Sequence, residues 1–357
     1  MAQYYSLDEI LSIDATYNII LGPRSNGKTY SVLRHCLKNY FEKEEQFAYI
    51  RRYKESIVPT KLRTLFEPHY KYIETMTNGE YNHVKIYKQA FWLCYLDEDG
   101  KITATAPKPF AIAVSLSTQE NDKGSDLGFC RYLIFDEFIA RDRYLSDEFT
   151  RFMNCISTLV RDRAGTKIFM IANPVSKFCP YFDEFGIDIN TIEQGTITTI
   201  KYEGTDMKVA FEYCDMVESA NKPKSEYFAF DNAKVKMITA GTWELDEVAH
   251  LPSGVYDDAE KLITFYIEFS NKIFAGEIMK YNDVLLLFYR PANEVKKKHY
   301  VFTSRPSLSQ WEINKFPKNR LTEIIAQIIK EGREFYSDNS VGNFILGWKT
   351  VTFKKAV

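Results

Sequence analysis

At 357 residues, 45% of them hydrophobic and 26% charged, the chain has a globular composition and is too long for one small core, so two domains are expected. Its formal net charge of −2 gives no overall positive field, and a nucleic-acid partner would have to be held by local basic patches. The cysteines, Cys36, Cys94, Cys130, Cys155, Cys179 and Cys214, form no C-x-x-C pair and have no histidine cluster beside them, which argues against zinc and against a disulfide framework.

The first residues, MAQYYSLDEI, lack the basic-then-apolar pattern of a signal peptide. No apolar run approaches the ~18 residues of a membrane span, so a cytoplasmic protein without a membrane partner is expected. An apolar strand, Tyr17 to Leu21, then runs into GPRSNGKT at 22 to 29. That is the spacing of a phosphate loop, after a predicted strand and before a predicted helix. Gly22, Pro23, Arg24, Ser25, Asn26 and Gly27 would curl backbone N–H groups around phosphates, Lys28 would reach the β and γ phosphates, and Thr29 would offer its hydroxyl to Mg²⁺. The expected ligand is a nucleoside triphosphate. Leu33, Cys36, Leu37 and Tyr40 continue at helical spacing.

QFAYIRR at 46 to 52 reads as a strand ending in two arginines, and residues 84–105 read as a hairpin turning at Asp97 to Gly100. AIAVSLS at 111 to 117 is a further strand, followed by a polar loop. RYLIFDEF at 131 to 138 is a buried strand that delivers Asp136 and Glu137 at its C-terminal end, where open α/β sheets bind ligands. In ATPases that use an added glutamate, Asp136 would hold Mg²⁺ through water and Glu137 would polarise the attacking water. The alternative is an acidic pair in a surface turn. Residues 146–163 read as a helix ending in Arg161 and Arg163, and KIFMIANP at 167 to 174 as a strand ending in Asn173. Asn173 is a candidate sensor of the γ phosphate, or a turn asparagine before Pro174.

Together, GPRSNGKT, QFAYIRRYK, YLIFDEF, VRDR at 160 to 163, and IANPV followed by PYF resemble, in order and spacing, the DNA-packaging ATPases of small protein-primed podophages, relatives of the terminase large subunits. The resemblance covers roughly the first 200 residues well and the rest in outline. It implies an α/β P-loop NTPase domain of the additional-strand, catalytic-glutamate type, working as a homomeric ring, pentameric in this family, at the portal vertex of an empty procapsid in the host cytoplasm. Double-stranded DNA, the portal or connector and, in some members, a packaging RNA are the implied partners. Carried over by position, Arg24 would engage and gate the catalytic glutamate, while Arg161 and Lys123 would reach the neighbouring subunit's ATP site. For Arg161 and Arg163, favourable charge at a helix C-terminus is the competing explanation.

The expected domains are a motor domain at 1–205, a linker region at 206–250 and a C-terminal domain at 251–357. The polar, Pro-containing stretch VESANKPKSE at 217 to 226 carries the linker reading. KLITFYIEFS, KIFAGEIM and DVLLLFY suggest an antiparallel meander, and Leu321, Ile324, Ile325, Ile328 and Ile329 an amphipathic helix, hence a small α+β domain. In terminases this position holds an RNase H-like nuclease whose clustered carboxylates bind two metals. Here alternation puts Glu268 on a solvent face with Thr264 and Tyr266, and Asp283 in a turn, so an RNase H-like domain without nuclease residues is expected. Lys296, Lys297 and Lys298 fit a solvated loop, and Arg51, Arg52, Lys54, Lys61 and Arg63 make a better basic patch for phosphates. A terminase with an active nuclease and a regulatory nucleotide-binding protein are the competing functions.

Overall fold

The computed structural model describes residues 4–118, 130–140, 144–161, 164–177, 179–189, 191–215, 243, 248–269, 272–303, 311–313 and 319–352. They fall into two compact units: residues 1–140, 144–174 and 188–242, and residues 141–143, 175–187 and 243–357.

The first unit opens with α1 (Asp8–Ser12) and β1 (Tyr17–Leu21). All five residues of β1 are buried, as a strand with layers on both faces requires. Next come α2 (Lys28–Lys43), β2 (Gln46–Arg51), α3 (Pro59–Leu62), α4 (Tyr70–Met76), β3 (His83–Tyr87), β4 (Ala90–Leu96), β5 (Ile102–Thr105) and β6 (Ala111–Ser115). They are followed by β7 (Cys130–Asp136), α5 (Glu148–Val160), β8 (Lys167–Ala172), β9 (Thr196–Lys201) and β10 (Lys208–Tyr213). The sheet order is β3-β4-β6-β2-β7-β8-β1-β10-β9, with β5 on β4. From β6 to β10 every neighbour is parallel. Strand β8 lies between the strand before GPRSNGKT and the strand that ends in Asp136, which is the additional-strand arrangement of a P-loop NTPase domain. The carboxyl ends of β1, β7 and β8 therefore share one edge, where such sheets place their ligands. Val32, Leu33, Cys36 and Leu37 seat α2 against Phe47, Ile134 and Phe169 in one apolar cluster.

Two local readings change. Residues 84–105 hold two turns: β4 and β5 pair antiparallel about the expected turn at Asp97 to Gly100, and an unexpected one, where Lys88 and Gln89 are both left-handed (φ 47° and 60°), splits the run before it into β3 and β4. Lysine and glutamine carry none of the usual Asn-Gly signal for such a turn. The boundary at 205 also falls short: β10 lies beyond it, pairs in parallel with β1, and buries Val209, Ala210 and Phe211 completely. One short apolar run between polar residues has too little periodicity to stand out. The stretch 217–226 lies outside the described residues.

The second unit contains α6 (Pro180–Glu184), α7 (Val255–Asp258), the antiparallel meander β11 (Glu260–Phe269), β12 (Lys272–Tyr281) and β13 (Val284–Ala292), then β14 (Tyr300–Phe302), β15 (Glu312–Ile313), α8 (Arg320–Lys330), β16 (Glu334–Tyr336) and α9 (Asn339–Thr352). Its order is β15-β14-β11-β12-β13-β16. Strands β14 and β16 run parallel to β11 and β13. They have three residues each, too few for a period to show. Asn319 caps α8 through a reciprocal pair of bonds with Thr322. Leu321, Ile325 and Ile328 join Phe265, Ile267 and Leu287 in the core. Gly276 faces Phe265 across the meander, and a Cβ there would fall 2.3 Å from the ring. Tyr266 is only 2% exposed, packed with Ala275 and Val301, so the face of β11 expected to meet solvent is covered there. Glu268 on that strand is half-buried, and Asp283 pairs with Lys280 in the exposed turn. Among the described residues, no group of three or more His, Cys, Asp or Glu could hold a metal ion.

Candidate functional site

The loop after β1 has physical reasons for both its glycines. Gly27 has φ 95°, which an L side chain rarely adopts. A Cβ on Gly22 would lie 2.8 Å from the Cβ of Cys214, the residue that follows β10. Asn26 ties the turn together, its Oδ1 accepting from the Lys28 N–H at 3.2 Å and from the Lys28 ammonium at 3.0 Å. The same ammonium donates to the carbonyls of Gly22 (2.9 Å) and Pro23 (2.7 Å), and to Asn173 Oδ1 at 3.3 Å. Asn173 thus meets Lys28 across β1 and β8. Burial lowers the Lys28 amine to about 8, and Asp136 lies near enough to pull it back up.

The N-terminal segment crosses this loop. The Tyr5 N–H donates to the Asn26 carbonyl (3.0 Å), Ser31 Oγ to the Tyr5 carbonyl (2.6 Å), and the Tyr5 hydroxyl to Glu212 on β10 (2.6 Å). Tyr4, 64% exposed, places its ring 3.4 Å from where a Cβ of Gly27 would be. Nothing in MAQYYS announces this placement.

At the end of β7, Asp136 accepts from the Tyr49 hydroxyl at 2.7 Å and from the Glu137 N–H at 3.1 Å. Burial raises the Asp136 carboxyl above its ordinary value, against the charge of Arg51 and the Tyr49 hydrogen bond. Burial and the nearby Asp136 push the Tyr49 phenol up in turn, so it stays a donor. Glu137 turns left-handed (φ 57°), which swings its side chain outward while Phe138 returns to the core. For a non-glycine residue that conformation carries strain. Arg51, from the end of β2, reaches both acids: its guanidinium lies 3.6 Å from Asp136 and pairs directly with Glu137.

The expected site residues therefore divide. Lys28, Asn26, Asn173, Asp136 and Glu137 gather along one sheet edge, and Thr29 follows Lys28 in the first turn of α2. Arg24 is exposed on the loop, where its charge bears on Lys28, and the arginine that pairs with Glu137 is Arg51 instead. Arg161 caps the far end of α5, exposed and left-handed (φ 46°). Lys123 and Arg163 lie outside the described residues. Arg51 and Arg52, expected in a basic surface patch, both turn inward: Arg52 is 7% exposed and bonds the carboxylate of Glu148. Tyr53, Lys54, Lys61 and Arg63 remain exposed.

A DNA packaging protein of Bacillus phage B103 is 31% identical over 186 residues, which are 51% of this chain and 52% of that one. That of Bacillus phage phi29 is 25% identical over 193 residues, 52% of each. The chain thus spans about half the length of the curated relatives it matches. A chain of the bacteriophage phi29 viral genome packaging motor assembly shares the fold over 98% of this chain and 99% of its own, with TM-score 0.59 and 17% identity. Residues 1–195, which hold the phosphate loop, the Asp136–Glu137 strand end and Asn173, match the model of the podovirus DNA encapsidation protein (Gp16), and the chain belongs to that family.

Proposed function

We propose that this protein is an ATP-hydrolysing motor that drives double-stranded viral DNA into an empty procapsid, acting as a homomeric, pentameric ring at the portal or connector in the host cytoplasm. The observation that carries this reading is the convergence of Lys28, Asn173, Asp136 and Glu137 on one sheet edge, in a family whose relatives are named for DNA packaging.

The loop from Gly22 to Thr29 would cradle the triphosphate, with Lys28 exchanging its carbonyl partners for β and γ oxygens. One carboxylate and one hydroxyl, Asp136 and Thr29, suit Mg²⁺, which is commonly held by one or two carboxylates together with substrate phosphates. Bound there, the ion would neutralise charge on the phosphates. Glu137 would orient the attacking water and take its proton, for which its carboxylate must leave Arg51. Asn173, hydrogen-bonded to Lys28, would sense the γ phosphate. Arg51 ends β2 and the chain runs on into exposed Tyr53 and Lys54, so release of Glu137 would be felt where basic side chains can meet DNA phosphates. The second unit is read as an RNase H-like domain that lacks nuclease chemistry and meets DNA or the portal.

Double-stranded DNA should raise the rate of ATP hydrolysis by purified protein. Nucleotide binding without DNA-stimulated turnover would favour a regulatory protein instead.

A pH dependence follows from Lys28. Its depressed value of about 8 describes the protein before triphosphate adds negative charge, and that charge favours the protonated amine. Binding should take up a proton above that pH, so affinity is flat below about 8 and falls by up to about tenfold per unit above it. Nucleotide titrations at pH 7 and pH 9.5 check this, with Lys28→Arg expected to flatten the profile. A flat profile in the unaltered protein would remove Lys28 from the phosphate site.

A further inference from the structure

Arg52 follows the arginine that pairs with Glu137, yet its own guanidinium is divided between backbone carbonyls and a second carboxylate. Nη1 donates to the carbonyl of Glu137 at 3.1 Å and Nη2 to that of Phe138 at 2.6 Å. Nε donates to both carboxylate oxygens of Glu148, at 3.0 and 2.8 Å. The ring of Tyr144 lies 4.9 Å from the guanidinium carbon. Consecutive carbonyls point opposite ways along a strand. They converge on one planar fork here because Glu137 turns left-handed. Glu148, its side chain 1% exposed, also accepts from the Leu145 N–H at 2.7 Å and is the first residue of α5.

The helix α5 has 13 residues, a rod of about 20 Å, and Arg161 is the residue that caps its other end. One buried ion pair therefore joins the turn that aims Glu137 to the base of the helix that carries Arg161. Neither Arg52 nor Glu148 faces the phosphate loop in any described contact, so their role is to position.

We infer that Arg52 and Glu148 are positioning residues that hold the Glu137 turn and lock it to α5, so that a subunit's own hydrolytic carboxylate and the arginine it would lend to its neighbour move as one piece. This rests on reading Glu137 as the hydrolytic carboxylate and Arg161 as a donor in trans. A strained turn would relax toward commoner backbone angles without the fork. Binding of triphosphate, which draws on the loop from Gly22 to Thr29, would be spared.

Removing either partner alone would strand a buried charge, so the informative variant replaces both with apolar residues of similar volume, Arg52→Met with Glu148→Leu. Full-length double variant should melt within a few degrees of the unaltered protein and bind a fluorescent ATP analogue within about threefold. Its kcat should fall about 30-fold or more, the range in which positioning acts. Arg52→Lys, which keeps a charge beside Glu148 but loses the fork, should fall in the same direction. Turnover within twofold in both, while Glu137→Gln is inactive, would overturn the inference and leave the ATPase reading intact. A double variant that does not fold would also overturn it, since the pair would then hold the fold and not the turn.

The link to α5 is tested in mixed rings. Where Glu137→Gln and Arg161→Ala subunits restore each other's activity, the double variant should fail to rescue Arg161→Ala, because its own Arg161 is displaced. Rescue would show that the pair serves only its own turn. If Glu137→Gln and Arg161→Ala do not restore each other, the trans reading of Arg161 fails, and the link to α5 falls with it.

Discussion

Glu137→Gln should bind ATP with little change and hydrolyse it about 10³ to 10⁴ times more slowly. The substitution keeps the size of the side chain and leaves Lys28, Asn173 and Asp136 in place. What it removes is the carboxylate that would orient water and accept its proton, and general-base catalysis alone is worth about 10² to 10⁴ in rate. It also breaks the ion pair with Arg51, so a slow variant that has lost that restraint would separate the loss of the base from the loss of its gate. Lys28→Ala is the contrasting case. It removes the buried cation that bonds the loop carbonyls, and binding and turnover should fall together. Equilibrium binding and single-turnover hydrolysis distinguish the two patterns. Near-normal turnover in Glu137→Gln would move the base to another carboxylate.

Arg161→Ala should retain ATP affinity within a subunit and lose about 10³ in the rate of hydrolysis by assembled rings. A guanidinium supplied to the transferring phosphoryl group from a neighbour carries that magnitude. The residue is exposed at the C-cap of a 13-residue helix, which lets a long side chain extend beyond its own subunit. The same position also lets it complement the helix dipole, worth under about 1 kcal/mol on a surface. Thermal melts report that smaller term. Mixing Arg161→Ala with Glu137→Gln should restore activity, since some interfaces then pair an intact Glu137 with an intact Arg161. No recovery in rings shown to contain both variants would leave Arg161 as a helix-end charge.

The parts of this site that sequence made legible are those whose chemistry and whose local structure come from the same few residues. GPRSNGKT sits between a buried strand and an amphipathic helix, so its motif and its context confirm each other. YLIFDE is four apolar residues followed at once by the two acids. The residues that escaped are held by partners far along the chain. Arg51 and Arg52 look like a surface patch with Tyr53 and Lys54, and only folding shows that they answer to Asp136, Glu137 and Glu148, between 85 and 96 residues away. No local pattern marks an arginine as paired. Tyr5 meets Glu212 across 207 residues, so the crossing of the phosphate loop by the N-terminal segment is invisible for the same reason. The short strand β10 lies in an aperiodic stretch, although it pairs along its whole length with β1, the strand that leads into GPRSNGKT. In the second unit the meander was legible from alternation, whereas burial of Tyr266 depends on β14, a strand of three residues whose Val301 pairs with Tyr266 from 35 positions further along the chain.

The motor reading is tested most directly by packaging itself. Empty procapsids, double-stranded DNA and purified protein are combined with ATP, then DNase is added and the protected DNA is measured. Protection should require ATP, should be absent with Glu137→Gln, and should accumulate in proportion to the ATP hydrolysed. Protection that persists with Glu137→Gln, or DNA-stimulated hydrolysis that never protects DNA in competent procapsids, would contradict a motor driven from this site.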